Sequence, residues 1–114
     1  MNKYILITGC EGFIGRNVKN FFLEKKYKVI GLDRKKNKIK KHKNFTFINI
    51  DITKLSVIKR KLSKFKIGPV IHLAAMPGIV DCNKNIDKAF NDNILTTINI
   101  FKIAEEFNIK KIFY

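Results

Sequence analysis

The feature that most constrains this chain is an alternation of two apolar periodicities. Short runs rich in β-branched residues recur at positions 4–7, 29–32, 45–50, 70–73 and 112–114. Each is too short for a helix and is bounded by breakers or charges, so each reads as a strand. The runs at 4–7, 29–32 and 70–73 are almost continuously apolar, the pattern of a strand covered on both faces. Between the runs the spacing becomes helical. Residues 13–25 place Ile14, Val18, Phe21 and Phe22 on one face, and residues 54–65 do the same for Leu55, Ile58, Leu62 and Phe65. Thr53 is placed to cap the second helix, and Gly68-Pro69 to end the connection after it. The longest helix is expected over 86–107, with Phe90, Ile94, Thr97, Ile98, Phe101 and Ala104 as its face and Asn108 in the left-handed position that closes it. Strand–helix alternation implies an α/β fold, a doubly wound parallel sheet with right-handed crossovers. No repeat or linker divides the 114 residues, so one domain is expected.

The passage from the first strand to the first helix reads "TGCEGFIG" (residues 8–15), with glycines at 9, 12 and 15. Gly9 permits a tight turn. Gly12 lets backbone N–H groups approach a pyrophosphate with no Cβ between them, and Gly15 lets the helix pack close to the sheet. The helix N-terminus then offers N–H groups and a positive dipole to the phosphates. A glycine triplet alone is weak, since a glycine-rich turn needs no ligand. Asp33 strengthens it. It closes the second strand 18 residues after Gly15, where an acid accepts hydrogen bonds from the adenosine ribose and repels a 2′-phosphate. Arg34 follows and softens that repulsion, so NAD is favoured and NADP stays open. Asp51 either reaches an adenine edge or caps the following helix. After the fourth strand, "HLAAM" (72–76) puts small residues where a dinucleotide would cross the sheet. His72 has no metal-ligand spacing and reads as a hydrogen-bonded core histidine. No metal site is expected. Cys10 lies inside the glycine loop and reads as incidental there, although its oxidation would hinder binding.

The net charge is +15, from 24 basic and 9 acidic residues. Charge of this size raises nucleic acid as a partner. Lys, Ile and Asn supply 52 residues, however, and all three have A/T-rich codons. The densest basic run, 34–43, has no Phe, Tyr or Trp on which a base could stack, so it reads as a solvated loop. No apolar run is long enough to span a bilayer, and the N-terminus lacks a cleavage-like stretch. Two cysteines, Cys10 and Cys82, make neither a disulfide framework nor a metal pattern, and a reduced, cytoplasmic location is expected.

Five linked motifs now stand in order: "TGCEGFIG", Asp33, "DI" at 51–52, "HLAA" at 72–75 and "NDNILTTINIFKIAEE" at 91–106. Together they resemble the NAD-dependent epimerase/dehydratase group of the extended short-chain dehydrogenase/reductase family, which acts on nucleotide sugars. The resemblance implies a Rossmann-type sheet. It also implies that Gly9, Gly12, Phe13, Ile14 and Gly15 surround the pyrophosphate and that Asp33 binds the ribose. Asp51 and Ile52 would flank the adenine, and Leu73, Ala74 and Ala75 would line the cofactor. Asn93 matches a helix asparagine that contacts the cofactor or braces the adjacent strand. The stretch "AAMPGIVDC" (74–82) is loosely similar to a loop that borders the sugar. "TT" at 96–97 replaces the family's usual "GT".

The family's catalytic groups are a Ser or Thr after the fifth strand and a Tyr-x-x-x-Lys on the next helix. None of Tyr4, Tyr27 and Tyr114 has a lysine four residues on, so no catalytic residue is assigned. The expected reading is the N-terminal, dinucleotide-binding part of such an enzyme, truncated after the fifth strand, with a nucleotide sugar and a homodimer belonging to the complete protein. A stand-alone dinucleotide-binding module is the first alternative. A basic nucleic-acid-binding protein is the second.

Overall fold

The computed structural model describes residues 3–35, 40–75 and 83–114. Residues 36–39 of the basic run, and Met76 with the rest of the 76–82 stretch including Cys82, lie outside the described residues. The elements follow the expected alternation: β1 (Tyr4–Thr8), α1 (Phe13–Glu24), β2 (Val29–Asp33), β3 (Phe45–Asn49), α2 (Leu55–Leu62) and β4 (Ile67–His72). Then come α3 (Ile86–Phe90), one π-helical turn (Asn91–Leu95), α4 (Thr96–Glu106) and β5 (Ile112–Phe113). The five strands are parallel in the order β3-β2-β1-β4-β5. The chain starts in the middle strand, winds outward one way through β2 and β3, then returns to wind the other way. That reversal beside β1 is the topological switch point of a Rossmann-type sheet.

The strand pattern explains the two-sided core. Successive side chains of a strand point to opposite faces. Leu6 joins Ile30, Leu32, Val70, Ile58, Leu62, Ile100 and Ile103 in one cluster, the face covered by α2 and α4. Ile5 and Ile7 join Val29 and Cys10 in the other, against Val18, Phe22 and Leu23 of α1. The edge strand β3 is only partly buried.

Four local expectations change. Gly68-Pro69 lies inside β4 rather than before it, where the β1–β4 register shifts between Tyr4 and Leu6. Proline cannot donate to the ladder, and an irregularity is where a strand tolerates it. On α1, Ile14 and Phe21 face solvent, while Gly15 and Lys19 are buried. Thr53 does not cap α2: its hydroxyl donates to Asp51 Oδ1, and Lys54 takes the cap position with no side-chain bond.

The expected long helix is the fourth. It is broken by the π turn, and its inward face is Asp92, Thr96, Asn99, Ile100, Ile103 and Ala104. Phe90, Ile94, Ile98 and Phe101 are about half exposed, so only Thr97 and Ala104 of the expected face turn inward. Both faces carry isoleucines, and periodicity alone does not choose between them. Asn99 chooses: its amide donates to the Ile52 carbonyl, a buried bond that only one rotation of the helix makes. Asn108 does adopt φ 55, and the Ile109 N–H bonds back to Ala104 as a Schellman close requires.

Candidate functional site

An open cleft of about 460 Å³ lies at the carboxyl ends of the strands. This is where an open α/β sheet binds its ligands. Gly9, Gly12, Phe13, Ile14 and Gly15 form the wall that leads from β1 into α1. Leu32 and Asp33 contribute the end of β2, and Ile50, Asp51 and Ile52 the end of β3. Leu73, Ala74 and Ala75 follow β4. Asn93 does not line the cleft; its carbonyl accepts the Thr97 hydroxyl at 2.8 Å. Among the described residues, Arg34, Lys35, Asp92 and Thr96 also line it.

Two of the three loop glycines have a steric reason, and the third does not. Gly9 has φ +65, and a Cβ there would stand 2.9 Å from the Ala74 nitrogen. Gly15 would put a Cβ 2.0 Å from the Gly9 carbonyl oxygen. The close approach at Gly15 is therefore between α1 and its own loop, not between α1 and the sheet. At Gly12 the nearest atom to an added Cβ is the same oxygen at 3.4 Å, ordinary contact. Nothing among the described residues forbids a side chain at Gly12, yet the position opens onto the cleft.

Gly12 is also the N-cap of α1 and supplies no side-chain bond to the helix start, and the first turn holds no acid. The first-turn N–H groups have no partner within an α-helix. They present partial positive charge to the cleft.

Polar contacts hold this loop in place. Asp33 Oδ2 accepts the Glu11 N–H and Oδ1 accepts the Lys35 N–H, both at 2.9 Å. Each carboxylate oxygen keeps a further lone pair for a ligand. The Glu11 carboxylate, in turn, pairs with Lys19 Nζ at 2.9 Å in a nearly buried bridge. Lys19 occupies the position on α1 where a continued apolar stripe would place a hydrophobe. No periodicity announces this clamp. Asp51 braces the turn before α2 by accepting the Thr53 N–H and hydroxyl, and it keeps its place on the cleft wall.

His72 organises the β4 side. Thr8 Oγ1 accepts the Leu73 and Ala74 N–H groups at 3.0 and 3.1 Å. The proton of that hydroxyl is then donated to His72 Nδ1 at 2.6 Å. The ring is the Nε2–H tautomer and donates to Thr97 Oγ1 at 2.9 Å, which donates onward to the Asn93 carbonyl. The expected core histidine is thus a relay that fixes the cleft-lining residues after β4.

Burial holds the His72 pKa below its ordinary 6.5. The unfolded chain then takes up a proton that the folded one refuses, and the sign follows: the stability is fully present above about pH 6.5 and is lost as pH falls. Chemical unfolding between pH 5 and 8 should show stability falling below about pH 6.5 by up to about 1.4 kcal/mol per pH unit from this group. His72→Gln should flatten that part of the slope; an unchanged slope would contradict the relay.

Cys10 is fully buried, and burial, followed by the charges of Glu11 and Asp33, pushes its thiol up to about 12. A thiol so placed resists oxidation. At pH 8, iodoacetamide should label Cys10 on the order of a thousandfold more slowly in the native chain than in denaturant. Equal rates at that residue would show the loop to be open.

Among the described residues no helix is long and apolar enough to cross a membrane. None of their His, Cys, Asp and Glu side chains form a group of three that could hold a metal ion.

The profile of the NAD dependent epimerase/dehydratase family matches residues 5–114. UDP-glucuronate 4-epimerase of Thermodesulfobacterium geofontis is 34% identical over 121 aligned positions, covering 96% of this chain and 38% of the relative. Among solved structures, UDP-glucose 4-epimerase from Thermotoga maritima, crystallised with UDP-glucose, superposes with a TM-score of 0.85 at 26% identity, over 96% of this chain and 36% of that one. The Bordetella bronchiseptica enzyme WbmH in complex with NAD+ gives 0.81 at 25% identity, over 98% and 38%. The chain spans less than two-fifths of the length of each.

Proposed function

We propose, since this chain belongs to the NAD dependent epimerase/dehydratase family, that its cleft is the NAD-binding portion of a nucleotide-sugar epimerase or dehydratase. The observation that carries the reading is at Gly12. An uncapped helix start faces the cleft there, and the missing Cβ leaves room that none of the described residues uses. A pyrophosphate fits that position in both charge and approach. Asp33, with one lone pair free on each oxygen, would accept the ribose hydroxyls. Asp51 and Ile52 would flank the adenine, and Leu73, Ala74 and Ala75 would line the rest of the dinucleotide. Asn93 would act from behind, through the carbonyl that ends the His72 relay.

The chemistry a bound NAD would supply is reversible hydride acceptance: a sugar carbon held transiently as a ketone can be re-reduced on its other face, and the C–H beside it is acidified for elimination or inversion. The residues of this chain bind and orient. We place the acid–base groups, the sugar pocket and the homodimer contacts in the part of such an enzyme beyond these 114 residues. Asp33 favours NAD over NADP, because its charge repels a 2′-phosphate.

Calorimetric titration of NAD into the folded chain tests the reading. One saturable site is expected, with no turnover of UDP-glucose or UDP-glucuronate by the same sample. A folded sample that binds no NAD would overturn the cofactor reading, and measurable epimerisation would overturn the placement of the catalytic groups.

A further inference from the structure

Arg34 poses a specific problem for a site that selects NAD. It directly follows the ribose acid, lines the cleft, and stands where an arginine can take a 2′-phosphate. In this structure it points elsewhere. Its Nη1 donates to Asp92 Oδ1 at 3.0 Å and its Nη2 to Asp92 Oδ2 at 2.9 Å. That is the two-pronged geometry in which an arginine is most firmly committed. Lys88, one turn before Asp92, donates to the same Oδ2 at 2.7 Å. The Asp92 side chain is 7% exposed, against 49% for Arg34 and 45% for Lys88, so a buried anion draws two cations onto itself from the rim.

We propose that Asp92 is a positioning residue for cofactor choice: by holding Arg34 in a bidentate pair it withholds that guanidinium from a 2′-phosphate, leaving Asp33 to reject NADP. The inference rests on the dinucleotide reading of the cleft. It adds a residue 58 positions from Arg34 that would act on cofactor choice by holding that guanidinium. Burial alone would raise the pKa of Asp92, but the bonds from Lys88 and Arg34 outweigh it and hold the carboxylate below its ordinary range. The anion is thus charged throughout the neutral range and keeps its grip. Lys35 also lines the cleft. Asp92→Asn also releases Lys88, and the double variant, which keeps Lys35 and Lys88, separates their pull on a phosphate from that of Arg34.

The test is a cycle of dissociation constants for NAD and NADP, measured on the wild-type chain, Asp92→Asn, Arg34→Gln and the double variant. Asp92→Asn should raise NADP affinity relative to NAD on the order of tenfold, the scale of one charge-assisted bond. The gain should vanish in the double variant. Arg34→Gln alone should move the ratio less than about twofold, since the wild-type guanidinium is already committed. If Asp92→Asn leaves the ratio unchanged, or the gain persists without Arg34, the inference is wrong. Should Asp92→Asn fail to fold, Arg34→Gln still decides: a loss of NADP affinity on the order of tenfold there would show that Arg34 already serves the phosphate. Wild-type protein that binds neither nucleotide would instead overturn the underlying cofactor reading.

Discussion

Gly15→Ala should weaken the fold and lose NAD together, whereas Gly12→Ala should lose NAD and leave the fold alone. The added methyl at residue 15 would sit 2.0 Å from the Gly9 carbonyl oxygen and 2.9 Å from the Cys10 Cα. Both are backbone atoms and cannot rotate aside. Relief requires α1 to move off its loop, which strains the Gly12 N–H bond to Gly9 and the Glu11 N–H bond to Asp33. Overpacking of this kind costs about 3 kcal/mol. Alanine returns about 1 kcal/mol of helix propensity. The clash wins by roughly 2 kcal/mol, a fall in Tm of roughly 8 °C for a domain of this size. At residue 12 the new methyl meets only ordinary contact at 3.4 Å, with φ −73 that alanine adopts freely. Tm should hold, while a methyl in the path of the pyrophosphate lowers NAD affinity on the order of tenfold or more. If Gly12→Ala binds NAD as the wild type does, the phosphate does not approach where the loop is open.

Asp33→Ala should have the second large effect. The substitution removes the expected ribose acceptor and also strands the Glu11 and Lys35 N–H groups it now holds. Two charge-assisted bonds to the ribose, at about 1.5 kcal/mol each, correspond to roughly a hundredfold in affinity. Loss of the loop brace adds about 1 kcal/mol of destabilisation, visible as a lower Tm in the absence of nucleotide. Asp33→Asn keeps the shape and one acceptor oxygen, so it should fall between the two in both readouts. Titration calorimetry alongside thermal unfolding separates the effects. An Asp33→Ala variant with wild-type NAD affinity would remove the ribose from this position.

What was legible in the sequence had local causes. A positive φ at Gly9, continuous apolar runs in β1, β2 and β4, and the left-handed Asn108 each follow from neighbours a few residues away. Eleven of the twelve residues that the motifs single out line one cleft, and Asn93 lies outside it. The rest depended on partners distant in sequence. Arg34 meets Asp92 across 58 positions and Thr8 meets His72 across 64, and no periodicity records either. The spacing of Lys88 and Asp92 did carry a local signal, an i,i+4 pair, that marks Asp92 as charged and held. The wrong helix face had a different origin. The segment is apolar on two sides, the π turn shifts its phase, and one buried amide at Asn99 selects the rotation. Lys19 was missed because a buried cation is expected only once its partner Glu11 is known to be buried beside it.

The central claim is that a dinucleotide lies across the carboxyl ends of β1, β2 and β4, with its pyrophosphate at the start of α1. Amide chemical shifts followed during an NAD titration of the chain test it directly. Saturable changes are expected at Gly12, Phe13, Ile14 and Gly15, at Asp33, and at Leu73, Ala74 and Ala75, all fitting one dissociation constant. Shifts that do not saturate, or that cluster instead on the basic residues Lys40, Lys41 and Lys43, would contradict it.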